Sequence, residues 1–247
     1  MSIQQLLSSY QASADPYWSS VSLLLHMDGA NGATSFPDVS ATPKIVTANG
    51  NAQISTAQSK FGGASAMFDG NGDFLTVPAN AAFDLDTGNF TIEAYVRFAG
   101  YSPNYGAAGY GAAIVATYSG AAINPKGWQV RINGTASSYT TINVYTGTTD
   151  LNFTAPFALN SWDHVAVTRN SGQVRAFVNG TQVGSTIANT DSFSGSVAGS
   201  RPLYIGGLND SSFRMQLNGF IDELRITKGV ARYVANFTPP ASPFPNS

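Results

Sequence analysis

From residue 21 onward the sequence is a succession of short runs rich in Val, Ile, Thr, Phe and Tyr, each cut off by Gly, Asn or Asp. Such punctuation leaves no room for long helices and favours short strands joined by tight turns. Twelve runs stand out: Ser22–Met27, Ser65–Phe68, Phe74–Val77, Phe90–Phe98, Ala113–Tyr118, Trp128–Ile132, Thr141–Tyr145, Asp163–Arg169, Gln173–Val178, Thr181–Ser185, Pro202–Ile205 and Gly219–Ile226. In Phe90–Phe98, residues Phe90, Ile92, Ala94, Val96 and Phe98 share one face, with Thr91, Glu93, Tyr95 and Arg97 opposite, the period-two signature of a strand. Asn179-Gly180 reads as a type I′ hairpin turn, whose two central residues want positive φ. Asn170-Ser-Gly172 reads as another, and Asn71-Gly72 as a third, joining Ser65–Phe68 to Phe74–Val77. Such a chain is expected to be all-β, a two-sheet antiparallel sandwich.

Charged residues make up 11% of the chain, against about 25% in typical domains. Hydrophobic content is an ordinary 43%, so Ser, Thr, Asn, Gln and Gly replace the missing charge and the surface is neutral and polar. A net charge of −2 gives no basic footprint, and no nucleic acid is expected as a partner. The absence of Cys removes disulfides and thiolate metal sites. Met1-Ser-Ile-Gln-Gln-Leu-Leu has no basic region and no long apolar run, so it does not read as a secretory leader. No stretch approaches the ~20 apolar residues of a membrane span, and no membrane insertion is expected.

Three parts are expected: an arm over residues 1–20, a β domain over 21–238 and a Pro-rich tail over 239–247. Ile3, Leu6, Leu7 and Tyr10 fall at i, i+3, i+4 and i+7, one apolar stripe of a short helix. Helices below roughly 12–15 residues do not hold alone. This one needs a surface, either its own sandwich or another subunit, as an anchoring or assembly arm.

Asp28 and Asp222 sit in the first and last strand-like runs, and an acid on an apolar strand needs a partner. Their placement predicts that the first and last strands lie together. Asp222 alternates in phase with Phe220, Leu224 and Ile226 and is read as facing inward. The two acids either accept hydrogen bonds from amides or an Arg, or share a hard cation such as Ca2+ with carbonyls near Gly29–Gly32. Tyr101, Tyr105 and Tyr110 lie in a Gly/Ala-rich loop, either as exposed rings for a sugar or protein partner, or packed down over a sheet edge. Trp18, Trp128 and Trp162 read as packing residues.

Catalysis is not expected. Retaining glycoside hydrolysis needs two carboxyl groups about 5–5.5 Å apart, whereas Asp222-Glu223 are neighbours that a regular strand points to opposite faces. Asp84 and Asp86 alternate, but within a loop. His26 and His164 lie in strand runs, and a Cys nucleophile is excluded.

Several segments together carry a family resemblance: Leu23–Gly29, Lys60–Ser65, Phe68–Val77, Phe90–Val96, Trp162–Arg169, Phe177–Gly180, Leu203–Gly207 and Gly219–Ile226. In this order they resemble the concanavalin A-like, laminin-G-like jelly-roll family over about residues 20–240. The opening Asp15-Pro-Tyr-Trp18 and the ending Thr227-Lys-Gly-Val-Ala-Arg-Tyr233 with Asn236-Phe-Thr-Pro-Pro240 resemble the version in tailed-bacteriophage virion proteins. The resemblance implies a jelly roll, often a carbohydrate- or receptor-binding role, and often calcium near Asp28 and Asp222. It leads to the expectation of a non-enzymatic virion structural protein, a capsid or tail decoration subunit that forms a homo-oligomer and partners other virion proteins. A tail-fibre or receptor-binding module, or a free lectin contacting cell-surface glycans, is the alternative, with a glycan hydrolase behind it.

Overall fold

A computed structural model describes residues 14–101, 110–117, 127–135, 137–193, 201–208 and 215–247. In chain order its strands are β1 (Val21–Leu25), β2 (Thr47–Asn49), β3 (Gln53–Ser55), β4 (Ser65–Asp69), β5 (Phe74–Val77), β6 (Phe90–Phe98), β7 (Tyr110–Thr117) and β8 (Gln129–Thr135). They continue as β9 (Ser138–Tyr145), β10 (Asp150–Phe157), β11 (Trp162–Asn170), β12 (Gln173–Val178), β13 (Thr181–Ala188), β14 (Leu203–Ile205) and β15 (Asn218–Lys228). An eight-stranded sheet runs β13-β12-β11-β6-β15-β4-β3, with β1 also on β15; a seven-stranded sheet runs β10-β9-β8-β7-β14-β5-β2. The expected all-β antiparallel sandwich is what forms.

The core lies between the sheets, where alternation delivers one face of each strand. Leu151, Phe153, Ala155 and Phe157 of β10 are buried in it while Asp150, Asn152, Thr154 and Pro156 stay outside. Trp128 is buried with its indole N–H donating to the Phe83 carbonyl at 2.8 Å, which meets the polar need of a sequestered indole. β2, β3 and β10 lie outside the twelve runs marked in the sequence. β10 carries Pro156, tolerated because this strand is an edge of its sheet.

Two hairpins form as the turn residues dictate. Asn179 and Gly180 have φ of 50° and 77° and close β12 onto β13; Ser171 and Gly172, at 49° and 75°, close β11 onto β12. Gly180 is also required sterically, because a Cβ there would fall 1.9 Å from the Phe237 carbonyl oxygen. The third expected hairpin is not one. β4 belongs to the eight-stranded sheet and β5 to the seven-stranded sheet, so Asn71-Gly72 lies in a crossing. Side-chain carboxylates hold this loop instead of a ladder: Asp73 accepts from the Asn51 and Asp69 amides, and Asp69 accepts from the Asn71 amide.

First and last strands are adjacent, Val21 opposite Thr227 and Leu25 opposite Leu224. β4 pairs with the other half of β15, from Asn218 to Ile221. Asp222 and Glu223 therefore stand where the neighbour of β15 changes. The outer face of the eight-stranded sheet is covered by both ends of the described chain. The Thr168 hydroxyl donates to the Tyr233 carbonyl, the Tyr95 hydroxyl to the Pro240 carbonyl and the Phe237 amide to the Gly180 carbonyl. The Asp15 amide donates to the Ser247 carbonyl at 2.7 Å, and Phe244 is buried.

Candidate functional site

The alternation expected through β15 breaks at Asp222. Glu223 has a φ of 54°, and the register with β6 slips between Asp222 and Arg225, the geometry of a β-bulge. Phe220 and Asp222 pair with Arg97 and Tyr95 on the outer face, whereas Leu224 and Ile226 point into the core. Asp222 is thus out of phase with Leu224 and Ile226, contrary to the regular-strand reading. The bulge also keeps Asp222 and Glu223 from opposite faces: both carboxylates bond to segments covering the outer side.

Asp222 is fully buried. Its Oδ2 accepts from the Lys60 and Phe61 amides at 2.7 and 3.1 Å, and its Oδ1 has no partner. Burial is the main reason its pKa rises to about 7; the two amides pull the other way, and Glu223 and Asp28 push it further up. The carboxylate of the exposed Asp28 lies against Gly62, whose φ of 61° favours glycine and where a Cβ would push the Asp28 side chain aside. Burial raises the Asp28 pKa as well. Glu223 accepts from His26 Nδ1 at 2.8 Å and from the Phe244 amide at 2.8 Å. That bond to Glu223 is the largest influence raising the His26 pKa, with the charges of Glu223, Asp28 and Asp222 adding to it against burial. Asp222 Oδ1 is thus the buried acceptor left over in a cluster whose carboxylate charge His26 counters in part. Among the described residues no group of three or more His, Cys, Asp or Glu is placed to hold a metal ion.

The second polar cluster is sealed. Asp15 holds Arg232 in a bidentate pair at 2.9 and 2.7 Å and also accepts from Arg225 at 3.1 Å. Arg225 donates twice to Glu93 Oε1, at 2.9 and 2.8 Å, while Glu93 Oε2 takes His164 Nε2 at 3.2 Å and the Tyr233 hydroxyl at 2.9 Å. Phe244 lies over the Arg225 guanidinium at 3.9 Å. Burial alone would raise the Glu93 pKa; the Arg225 charge, the His164 bond and Arg232 overcome it and hold the carboxyl at about 2. A carboxylate held this far down, in a buried network where His164 Nδ1 alone of the His164 ring goes unmet, is suited to holding the termini down and unsuited to general acid work.

The outer face of the seven-stranded sheet is built otherwise. Register places Thr76, Tyr204, Ala116, Gln129, Tyr145 and Asp150 in one row across the strands. A parallel row runs Ala113, Arg131, Asn143 and Asn152. Arg131 joins the rows, donating to Gln129 at 3.0 Å and to Asp150 at 2.8 Å. Asn143 donates to Asn152 at 2.8 Å, leaving its own Oδ1 without a partner, as is Arg131 Nε. Tyr204 packs beside Phe74 with ring centroids 5.6 Å apart. Leu208 and Met215 cover Ala113 and Ala116, whereas Asp150, Asn152 and Thr154 are exposed and Arg131 and Tyr145 half-buried. Planar amide and guanidinium groups, hydroxyls and aromatic rings on a rigid sheet are the equipment for hydrogen-bonding and stacking on a flat polar ligand.

Of the tyrosines singled out in the sequence, Tyr101 is half-buried and packs edge-on against Tyr139 at 5.1 Å. The backbone of Tyr110 starts β7, while its side chain and Tyr105 lie outside the described residues, as do Ile3, Leu6, Leu7 and Tyr10. The face residues Arg131, Tyr145 and Asn152 escaped sequence reasoning. The outward half of the strict alternation in Asp150–Phe157 was the available signal.

Two antiparallel sheets with first and last strands side by side, one outer face sealed and the other set with polar rows, define a lectin-like jelly roll. The chain belongs to the concanavalin A-like lectin/glucanases superfamily, whose family model matches residues 69–231. That match takes in Asp222 and the polar rows but not Asp28. Among solved structures the chain is similar to the binding domain of botulinum neurotoxin DC in complex with SialylT, at 16% identity and a TM-score of 0.56, over 87% of this chain and 50% of that one. It is also similar to domain 4 of an extracellular arabinanase from Geobacillus stearothermophilus in complex with arabinotriose, at 15% identity and a TM-score of 0.57, over 85% and 93% of the two chains. A Trypanosoma rangeli sialidase mutant displaying trans-sialidase activity matches at 14% identity and a TM-score of 0.59, over 92% of this chain and 33% of that one. The chain thus spans about half the length of the toxin binding domains it matches. Comparison with curated proteins gives no match. No helix among the described residues is long and apolar enough to cross a membrane.

Proposed function

We propose that this is a non-catalytic glycan-binding module that takes sugar on the outer face of its seven-stranded sheet. The observation that carries this reading is the pair of polar rows joined by Arg131, with an exposed amide and carboxylate at Asn152 and Asp150, half-buried tyrosine rings, and unpartnered buried atoms on Asn143 and Arg131. Arabinotriose and SialylT, the sugars named with two of the similar domains, support a saccharide as the ligand class. The test is a glycan array probed with the full chain, followed by titration of the best soluble oligosaccharide. Arg131→Ala is expected to weaken binding about tenfold, the loss of a charge-assisted hydrogen bond. An array with no signal above background removes the reading.

Asp28 and Asp222 are read as the anchors of a calcium ion that fastens β15 to the segment after β1. Its support is the orphaned Asp222 Oδ1. Chelator is expected to lower the melting temperature, and an unchanged melt with no calcium in the protein removes the ion.

A finer reading makes the module a virion component, a capsid or tail decoration subunit or a tail-fibre receptor-binding module, anchored through residues 1–20. It rests on the resemblance of residues 15–18, 227–233 and 236–240 to phage virion proteins. It is also favoured by the site of the arm: the chain enters at Asp15 on the sealed face, so an arm-tethered module would turn its polar rows outward. Light scattering on the full chain and on a chain lacking residues 1–12 tests it. Oligomers formed only by the full chain support an assembly arm, and monomers in both cases count against self-association.

A further inference from the structure

Where β1 begins and β15 ends, a cavity of about 340 Å³ opens, lined among others by Ser19, Ser20, Ser22, Thr42, Lys44 and Lys228. This is the size class of a small-molecule site and suits one sugar ring. Its walls are dense in hydrogen-bonding groups without employment. Among the described residues, the hydroxyls of Ser19, Ser20, Ser22 and Thr42 bond to no other protein group. The Lys228 ammonium donates to the Ala81 carbonyl at 2.8 Å and has no carboxylate within 4.0 Å among the described residues, so donors remain.

Lys44 adds a second cation, with its side chain only 8% exposed. The acid behind it, Asp38, stands 3.8 Å from the ammonium, and its oxygens already accept from the Leu24, Ser40 and Lys44 amides and the Ser40 hydroxyl. The Lys44 ammonium also donates to the Thr42 carbonyl and keeps a further donor; burial holds its pKa below the ordinary value, with the Asp38 charge pulling it back. Two ammonium groups against one carboxylate leave a single positive charge at the cavity.

We propose that this cavity is a binding site for an acidic sugar, one hydroxyl-rich ring bearing a carboxylate that the two lysines receive. The chemistry narrows the class from both sides. An apolar ligand would leave four hydroxyls unpaired, a costly mismatch. A bare inorganic anion would use the lysines and leave the hydroxyl wall idle, and a dianion exceeds the single compensating charge. The site shares no residue with the polar rows of the seven-stranded sheet, so it stands whether or not that face binds glycan.

The experiment is calorimetric titration of the full chain with glucuronate, galacturonate and N-acetylneuraminate. Each is set against its neutral counterpart, glucose, galactose and N-acetylmannosamine, with acetate as the carboxylate without a ring. At least one acid is expected to bind about tenfold more tightly than both its neutral counterpart and acetate. Lys228→Gln, which keeps a donor for the Ala81 carbonyl, is expected to lose that tenfold advantage, and Ser20→Ala to weaken the same acid severalfold. Val234→Ser, at an exposed position that lines neither the cavity nor the polar rows, should leave it unchanged. Acids that bind no better than their neutral counterparts, acetate binding as tightly as the sugar acids, or full affinity in Lys228→Gln would each overturn the site.

Discussion

The two outer faces of this sandwich obey the same pleat and end in opposite states. On the eight-stranded sheet the outward residues Glu93, Tyr95, His164 and Arg225 are all buried, because the two ends of the chain lie across them. On the seven-stranded sheet the outward residues Asp150 and Asn152 are exposed and Arg131 and Tyr145 half-buried. In a chain with 11% charged residues, ionic side chains are concentrated where they are most expensive to place. The difference teaches how to read a polar residue in such a fold. A polar group bonded under cover fastens structure, even where an atom such as His164 Nδ1 goes unmet; one that faces out on a rigid strand within reach of solvent is available to a ligand.

Removing the hub of the sealed face should give the largest effect. Glu93→Ala leaves Arg225, His164 and Tyr233 buried without their shared acceptor, and a loss of about 3–5 kcal/mol is expected in urea denaturation. A loss below about 1 kcal/mol would mean that the network is solvated, and the contrast between faces would fail. Phe244→Ala should follow at about 3 kcal/mol, since the ring fills the space over Arg225 and Tyr95 and leaves a cavity when cut away.

The acid groups sharpen the comparison through pH. Glu93, held at about 2, contributes stability that is present above its unfolded value of 4.5 and is lost as pH falls toward about 2. Asp222, raised to about 7, works in the other direction: as pH rises from its unfolded value of 3.8 through about 7, the metal-free fold is progressively destabilised. His26, raised by Glu223, adds to that trend, since its contribution is present at low pH and fades as pH climbs. In chelator, therefore, stability should rise by roughly 1–2 kcal/mol on moving from pH 8 to pH 5, and Asp222→Asn should flatten most of that slope. Calcium should restore the high-pH loss in the unaltered protein and do nothing for Asp222→Asn. A calcium-independent melt at every pH would leave Asp222 as a buried acid and no more.

The smallest effect on stability belongs to the open face. Arg131→Ala should cost about 1 kcal/mol or less, because its acid partner Asp150 is half exposed, and thermal melts should barely move.

The alternation in Phe90–Phe98 and the turn residues at Asn179-Gly180 and Asn170–Gly172 made the sandwich and two of its hairpins legible in the sequence. Local spacing failed where long-range contact decides. Asn71-Gly72 looks like a hairpin turn, but Asp69 and Asp73 fold it into a crossing between sheets. Asp222 looks in phase with Leu224 until the bulge at Glu223 resets the pleat. The adjacency of first and last strands could be inferred from Asp28 and Asp222, whereas the sealed network could not: Asp15 and Arg225 meet from 210 residues apart, and no periodicity records that. Of the two readings of the glycine-rich loop, exposed rings or tyrosines packed down, Tyr101 follows the second by packing on Tyr139; Arg131, Gln129 and Asn143 come together only through strand register.

The most direct measurement is titration of one array-selected oligosaccharide against three proteins: the unaltered chain, a double variant Arg131→Ala with Asn152→Ala on the open face, and Val234→Ser at an exposed position on the segment covering the sealed face. The account predicts unaltered affinity for Val234→Ser and a loss of at least about tenfold for the double variant, with similar melting temperatures in all three. Full affinity in the double variant, or loss in Val234→Ser alone, would contradict the assignment of binding to the seven-stranded sheet.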